Sequence, residues 1–209
     1  MPEITAIKPQ VKREGRYNIF VDGKYSFSLS ELALATLHLQ VGQAVSDADL
    51  DKLKEESQRG KAMERAQYFL SFRPRSRAEV ATYLKRKDYD DDIIVTTLNE
   101  LEKARLIDDK AFAAAWVQSR NAVKFRSRRI LIQELRQKQV SKDAIEAALS
   151  EQTQDIELDN LRQIVRKKNR PGVSWQDPSK LMRYLSTKGF SYSDIRKVLE
   201  EELGSKDNF

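Results

Sequence analysis

Three windows of this sequence align without a gap. "SRAEVATYLKRKDYDDDIIVTTL" starts at Ser76, "SRRILIQELRQKQVSKDAIEAAL" at Ser127 and "PSKLMRYLSTKGFSYSDIRKVL" at Pro178. Val80, Leu131 and Leu181 share one column, and Leu84, Leu135 and Leu185 a second. Lys87, Lys138 and Lys188 form a third, followed by Tyr89, Val140 and Phe190. Ile94, Ile145 and Ile195, then Leu98, Leu149 and Leu199, complete the set at constant offsets of 51 and 50 residues. Self-similarity at a fixed period means one supersecondary unit used repeatedly, which excludes most single-core folds at once.

Each window reads as helix, tight turn, helix, with apolar residues at helical spacing. A further helix precedes each one, in "KAMERAQYFLSF", "DDKAFAAAWVQSR" and "DIELDNLRQIVRKK". The unit is therefore a three-helix repeat, present three times, with helices of about 10–17 residues. In the turn, the residue two positions after the lysine is apolar and should staple the second helix to the third. The position between them is Asp88, Gln139 or Gly189. Glycine suits a left-handed helix end. A side chain there costs roughly 1 kcal/mol, so the first two turns should be strained or shaped differently.

The sequence before the repeats reads differently. In "YNIFVDGKYSFSL" two alternating runs flank Asp22-Gly23, a strong hairpin signal because a type I′ turn needs positive φ at both central positions. "ITAIKP" (Ile4 to Pro9) offers a third strand. "SELALATLHL" suggests a short helix capped by Ser30, and Ser46 with Asp49 resembles a capping box opening a polar helix after the break at Gly42. The expected architecture is mainly α, with a small N-terminal β-hairpin segment over residues 1–60 and repeats over 61–108, 109–152 and 153–209. By default the β segment packs on the first repeat. Two strands alone would be marginal.

Charge follows the repeat. Residues 73–87 carry 6 basic and 1 acidic side chains, residues 120–138 carry 7 and 1, and residues 162–188 carry 8 and 1. Between them, residues 88–111 hold 3 basic and 8 acidic side chains and residues 139–161 hold 1 and 6. Acids such as Asp90, Asp91 and Asp92 at a helix start complement the helix dipole. The basic blocks have a plain reading as solvated helix faces. If the repeats stack regularly, however, one block per repeat makes a basic stripe suited to phosphates or carboxylates. The candidate stripe is Arg73, Arg75, Arg77, Lys85, Arg86, Lys87, Lys124, Arg126, Arg128, Arg129, Arg136, Lys138, Arg166, Lys167, Lys168 and Arg170. Tyr68, Phe69, Phe72 and Trp116 could stack on bases, but their helical spacing points to core packing; Trp175 sits in a Pro-Gly loop and is less constrained. His38, the only histidine, reads as packing.

The net charge of +6 comes from residues 61–209, which carry 30 basic and 23 acidic side chains against 8 and 9 in residues 1–60, and it invites a polyanion or acidic protein as partner. With no cysteine and one histidine, neither a disulfide framework nor a histidine-based triad or metal cluster can be built. No phosphate loop or nucleophile elbow is present. These absences point away from an enzyme, and no cofactor or metal is expected. The N-terminus lacks a signal-peptide core and no window nears the ~18 apolar residues of a membrane span, so a soluble cytoplasmic protein is expected.

"RPRSRAEVATYLKRKDY", "LEKARLIDDKAFAAAWVQSR" and "FRSRRILIQELRQKQV" resemble the RecX family of recombinase regulators over about residues 61–200. The family's step into the second repeat matches Leu106, Asp108, Asp109, Phe112 and Ala113, whereas its usual lysine-glycine turns are Lys87-Asp88 and Lys138-Gln139 here. The resemblance implies three tandem three-helix repeats in an elongated, curved array. It also implies a non-enzymatic inhibitor that lies in the groove of the RecA–DNA filament and limits its ATPase and strand exchange. The partners it implies are RecA and single- or double-stranded DNA within or beside the filament, with a monomer expected and no membrane. A helical repeat protein that binds DNA directly through phosphate contacts is the alternative.

Overall fold

The computed structural model describes residues 1–11, 13–168 and 178–203, excepting the side chains at 123, 124, 178 and 203. The candidates Arg170 and Trp175, and the side chain of Lys124, lie outside that description. Contacts divide the chain into two compact units, 1–74 with 80–107, and 75–79 with 108–209.

The first unit begins with strands β1 (Ile4–Pro9), β2 (Arg16–Val21) and β3 (Lys24–Ser30) in an antiparallel sheet of order β1-β2-β3. Asp22 and Gly23 have φ of 48° and 76°, as the hairpin turn requires. Ser30 caps α1 (Glu31–Thr36) by accepting from the Ala33 N–H, and Ser46 caps α2 (Asp47–Ser71) by accepting from Asp49. Helix α2 is 25 residues long and runs through Gly60. The polar helix and the first helix of repeat 1 are thus one element, and the length range expected for the repeat helices was too narrow at both ends, since the shortest of them, over residues 142–148, has 7 residues. The Cβ position of Gly60 faces open space, so nothing kinks the helix there beyond glycine's cost of about 1 kcal/mol.

Helix α2 serves two cores. Its early part places Leu53 among Ile4, Ile19, Phe27 and Leu29 of the sheet. There buried Ser57 donates to the Ser28 carbonyl at 2.7 Å and accepts from the Ser28 N–H. Its later part places Ala62 and Ala66 against Val80 and Leu84 of α3 (Arg77–Lys85) and Ile94, Leu98 and Leu101 of α4 (Asp91–Lys103). Two alanines one turn apart make the buried face, because small side chains admit the closest approach. The larger residues turn outward: Tyr68 and Phe72 are 65% and 64% exposed, against the expectation of core packing. Phe69 packs at the core edge, stacked on Tyr83 with ring centroids 4.1 Å apart. His38 is also not packing; it is exposed, with φ 50°, just after α1.

The second unit contains α5 (Asp109–Lys124), α6 (Arg128–Gln137) and α7 (Lys142–Ala148) as repeat 2, and α8 (Gln154–Lys168), α9 (Pro178–Thr187) and α10 (Tyr192–Leu203) as repeat 3. Each repeat has its own core, built on Leu131, Leu135, Val140, Ile145 and Leu149 in one and Leu181, Leu185, Phe190, Ile195 and Leu199 in the other. Every apolar column of the alignment is buried.

The turns share one shape. Asp88, Gln139 and Gly189 have φ of 60°, 54° and 87°. In the first two, the staple N–H reaches back to Leu84 or Leu135 and the preceding N–H to Lys85 or Arg136, a Schellman pattern. Asp88 and Gln139 therefore pay the left-handed penalty. Asp88→Gly and Gln139→Gly are each expected to raise stability by up to about 1 kcal/mol, partly offset by the looser unfolded chain, which urea midpoints would read.

Candidate polyanion- and partner-binding surface

The second unit repeats one joint. Ser76 and Ser127 each open the second helix of a repeat and each accept the N–H three residues on, from Glu79 and Ile130. Each hydroxyl also donates, at 2.9 Å, to a lysine carbonyl in the next turn: Ser76 to Lys138 and Ser127 to Lys188. The following amide donates to an acid of the next repeat's first helix, Arg77 to Asp109 at 2.8 Å and Arg128 to Glu157 at 3.2 Å. Serine fits because one hydroxyl can accept and donate together, and both are fully buried.

Around these joints several candidate cations have internal partners. The Arg128 guanidinium donates to the carbonyls of Leu149 at 2.6 Å and Gln152 at 3.4 Å, closing the end of α7. Lys138 is paired with Glu79 at 2.9 Å and lies 4.4 Å from the Trp116 ring centroid. Trp116 and Arg120 both donate to Glu134 at 2.8 Å, and Arg126 lies 3.7 Å from that carboxylate. Trp116 is thus packing with a polar handle, as its spacing suggests. Lys85 pairs with Asp91. Arg166 binds Glu202 through two nitrogens, a contact that holds the carboxyl below its ordinary value. Lys167 and Lys168 sit over Phe125 and Tyr184. Arg73, Arg75 and Arg77 all carry interactions within the fold. Arg86 and Lys87 are exposed, with the Lys87 ammonium 6.0 Å from the Tyr83 ring.

Arg129 and Arg136 differ. Both are exposed, and with Ile132 and Gln133 they form one face of α6, opposite buried Leu131 and Leu135. That face is one wall of a groove of about 910 Å³. The other wall is the repeat 3 turn, with Gly189, Phe190, Ser191, Asp194 and Glu157. The groove offers two arginine forks beside Ile132 and Phe190, opposed by two carboxylates, so it can hold a chain carrying acids beside an apolar residue.

Burial pushes the Glu157 carboxyl above its ordinary value of 4.5, with Asp194 adding repulsion; the Arg128 N–H and charge oppose both. A raised folded pKa means the charged carboxylate opposes folding at neutral pH, and that opposition fades as pH falls through the folded pKa. Glu157→Gln keeps an acceptor for Arg128. It is expected to be more stable than wild type at neutral pH, with the advantage vanishing near about pH 4 in urea titrations.

Sequence reasoning missed Arg13 and Arg65, which border a second groove, in the first unit, beside exposed Tyr68. The signal for Arg65 was its spacing with Tyr68 and Phe72 along α2; Arg13, in the β1–β2 connection, had none. Among the described residues no group of three acids or histidines could hold a metal ion, and no helix is long and apolar enough to cross a membrane.

Comparison with known proteins covers nearly the whole chain. Four family models match: the Regulatory protein RecX N-terminal domain at residues 2–46, and the first, second and third three-helix domains of RecX at 62–101, 108–149 and 155–199. Curated relatives called regulatory protein RecX include one from Halalkalibacterium halodurans, 34% identical over 97% of this chain and 81% of its own length. Another, from Bacillus velezensis, is 32% identical over 100% and 80%. A crystal structure of regulatory protein RecX matches with TM-score 0.77 and 29% identity, covering 96% of this chain and 100% of that one. A crystal structure of RecX from Lactobacillus salivarius matches with TM-score 0.60 and 26% identity, covering 69% and 96%.

Proposed function

The chain belongs to the RecX family of regulatory proteins, and from that membership we propose that it restrains the RecA recombinase by binding the RecA–DNA filament and limiting its ATPase and strand exchange. The observation that carries this reading is the run of four family matches, one for the N-terminal domain and one for each three-helix repeat. The reading makes the chain a binding protein and gives it no reaction of its own.

The geometry supports a division of labour among the cations. Arg128 and Lys138 hold the repeats in shape through carbonyls, Glu79 and Trp116. Arg129 and Arg136 stand over the groove and supply contacts to the filament. A filament presents the same surface many times, so contacts of moderate strength add through effective concentration.

Co-sedimentation tests the reading. Labelled protein is expected to pellet with RecA assembled on single-stranded DNA, and to remain in the supernatant with free RecA at the same salt. Failure to pellet with filaments at excess protein would remove it.

A further inference from the structure

We propose that α2 contains a latched hinge: the helix bends at Gly60, so that the N-terminal sheet swings against repeat 1, and the Arg16–Glu64 ion pair holds it straight. The proposal goes beyond the regulator reading and does not rest on RecA.

Helix α2 is the element that the two cores share. Ser57 is its last residue buried against the sheet, and Ala62 its first buried in repeat 1. The turn between them, residues 58–61, buries no side chain. No packed residue braces the helix there, and Gly60 lies within that turn. Glycine is the weakest helix former after proline. Neither ordinary reason for one applies at this position. The backbone is plain helix, and a Cβ would meet nothing within 4 Å. Alanine would fit at no steric cost, so the effect of the glycine is to weaken one turn between two packed bodies.

Ion pairs span the weak turn from both sides. Arg16 of β2 is buried and fixed by the Ser28 hydroxyl and carbonyl, the same carbonyl that Ser57 bonds before the glycine. Its guanidinium also donates to Glu64, about one turn beyond the glycine. Exposed Arg13 lies 3.6 Å from the other Glu64 oxygen. In the opposite sense, Arg59 on the sheet side lies 3.8 Å from Glu100 of α4. Arg16 is the stronger tie, because its partner is bonded from a buried group, whereas Arg59 and Glu100 are both in contact with salt and water.

Lys61 works against the latch. Burial, followed by the charges of Arg16 and Arg13, pushes its ammonium below its ordinary value, although Glu64 opposes this. The charged lysine is thus disfavoured in the straight form. There is also room to move. A groove of about 510 Å³ is lined by Arg13, Glu14 and Arg16 from the sheet region and by Arg65, Tyr68 and Tyr83 from repeat 1. Bending at Gly60 changes the width of this groove and leaves both cores packed.

Pulsed dipolar spectroscopy tests the hinge, and a chain without cysteine takes spin labels only where they are placed. Nitroxides on Lys24→Cys, beside the hairpin turn, and Lys103→Cys, at the end of α4, report the sheet against the repeat; both positions are exposed. Thr82→Cys with Lys103→Cys reports repeat 1 alone. Wild type is expected to show a main distance and a second, bent population. Gly60→Ala should lower the ratio of bent to straight about fivefold, the equivalent of ~1 kcal/mol of helix propensity. Glu64→Gln keeps an acceptor for Arg16 but loses the charge, and should raise that ratio about fivefold. Adding Gly60→Ala to it should reverse the gain, and the control pair should not change. Three results would overturn the proposal: a single distance in wild type that neither variant alters; a bent population in Glu64→Gln that Gly60→Ala leaves in place; or an equal change in the control pair, which would put the loosening inside repeat 1.

Discussion

Gly189→Ala is expected to lower the thermal midpoint by about 5–15 °C, the equivalent of about 2–4 kcal/mol for a chain of this size. Two costs add. The backbone there has φ 87°, where a Cβ costs roughly 1 kcal/mol. That Cβ would also lie 2.4 Å from the Ser127 hydroxyl and 2.6 Å from Ile130 Cγ1. The neighbours are not free to retreat, because Ser127 is simultaneously the cap of α6 and the donor to the Lys188 carbonyl. Overpacking such a contact costs about 1–3 kcal/mol. Gln139→Ala is the control. It keeps the same left-handed turn and an existing Cβ, and should stay within about 0.5 kcal/mol of wild type. Equal melting of Gly189→Ala and Gln139→Ala would show that the Ser127–Lys188 joint is not closely packed.

Leu135→Ala should cost about 2–5 kcal/mol, whereas Arg136→Ala next to it should cost less than about 0.5 kcal/mol. Leu135 is fully buried among Leu131, Val140, Ile145 and Leu149, while Arg136 is exposed over the groove. Leu185→Ala should behave like Leu135→Ala, and the two losses should add because the residues sit in separate clusters. Urea unfolding of both single variants and the double variant reads this. A loss from Arg136→Ala as large as that from Leu135→Ala would mean the α6 faces are assigned the wrong way round.

What the sequence made legible follows from periodicity. Residues such as Leu84, Leu135 and Leu185 recur because each repeat must bury the same position, and a column of this kind needs no coordinates to be seen. The Asp22-Gly23 hairpin and the Ser30 and Ser46 caps were equally readable, since turn and cap chemistry is local. Features that depend on a helix having two jobs were not. Helix α2 packs on the sheet through Leu53 and on the repeat through Ala62 and Ala66. Its buried face is therefore marked by small residues, and counting large apolar ones placed Tyr68 and Phe72 inside.

The candidate surface was legible in sign and not in assignment. Arg128 and Arg129 are adjacent and chemically identical, yet one closes the end of α7 and the other faces solvent. Only the 21-residue return to Leu149 separates them. The Ser127–Lys188 bond spans 61 residues and was equally invisible in the chain, although Ser76 and Ser127 stood in register from the start.

The most direct test of the central claim is RecA ATP hydrolysis on single-stranded DNA, titrated with wild type and with the Arg129→Glu/Arg136→Glu variant. Wild type is expected to slow hydrolysis when present below the RecA concentration, and the variant, with an unchanged melting midpoint, to lose at least about tenfold in potency. A hydrolysis rate unaffected by excess wild-type protein would contradict the regulator reading, and equal inhibition by the folded variant would contradict the placement of the contact on α6.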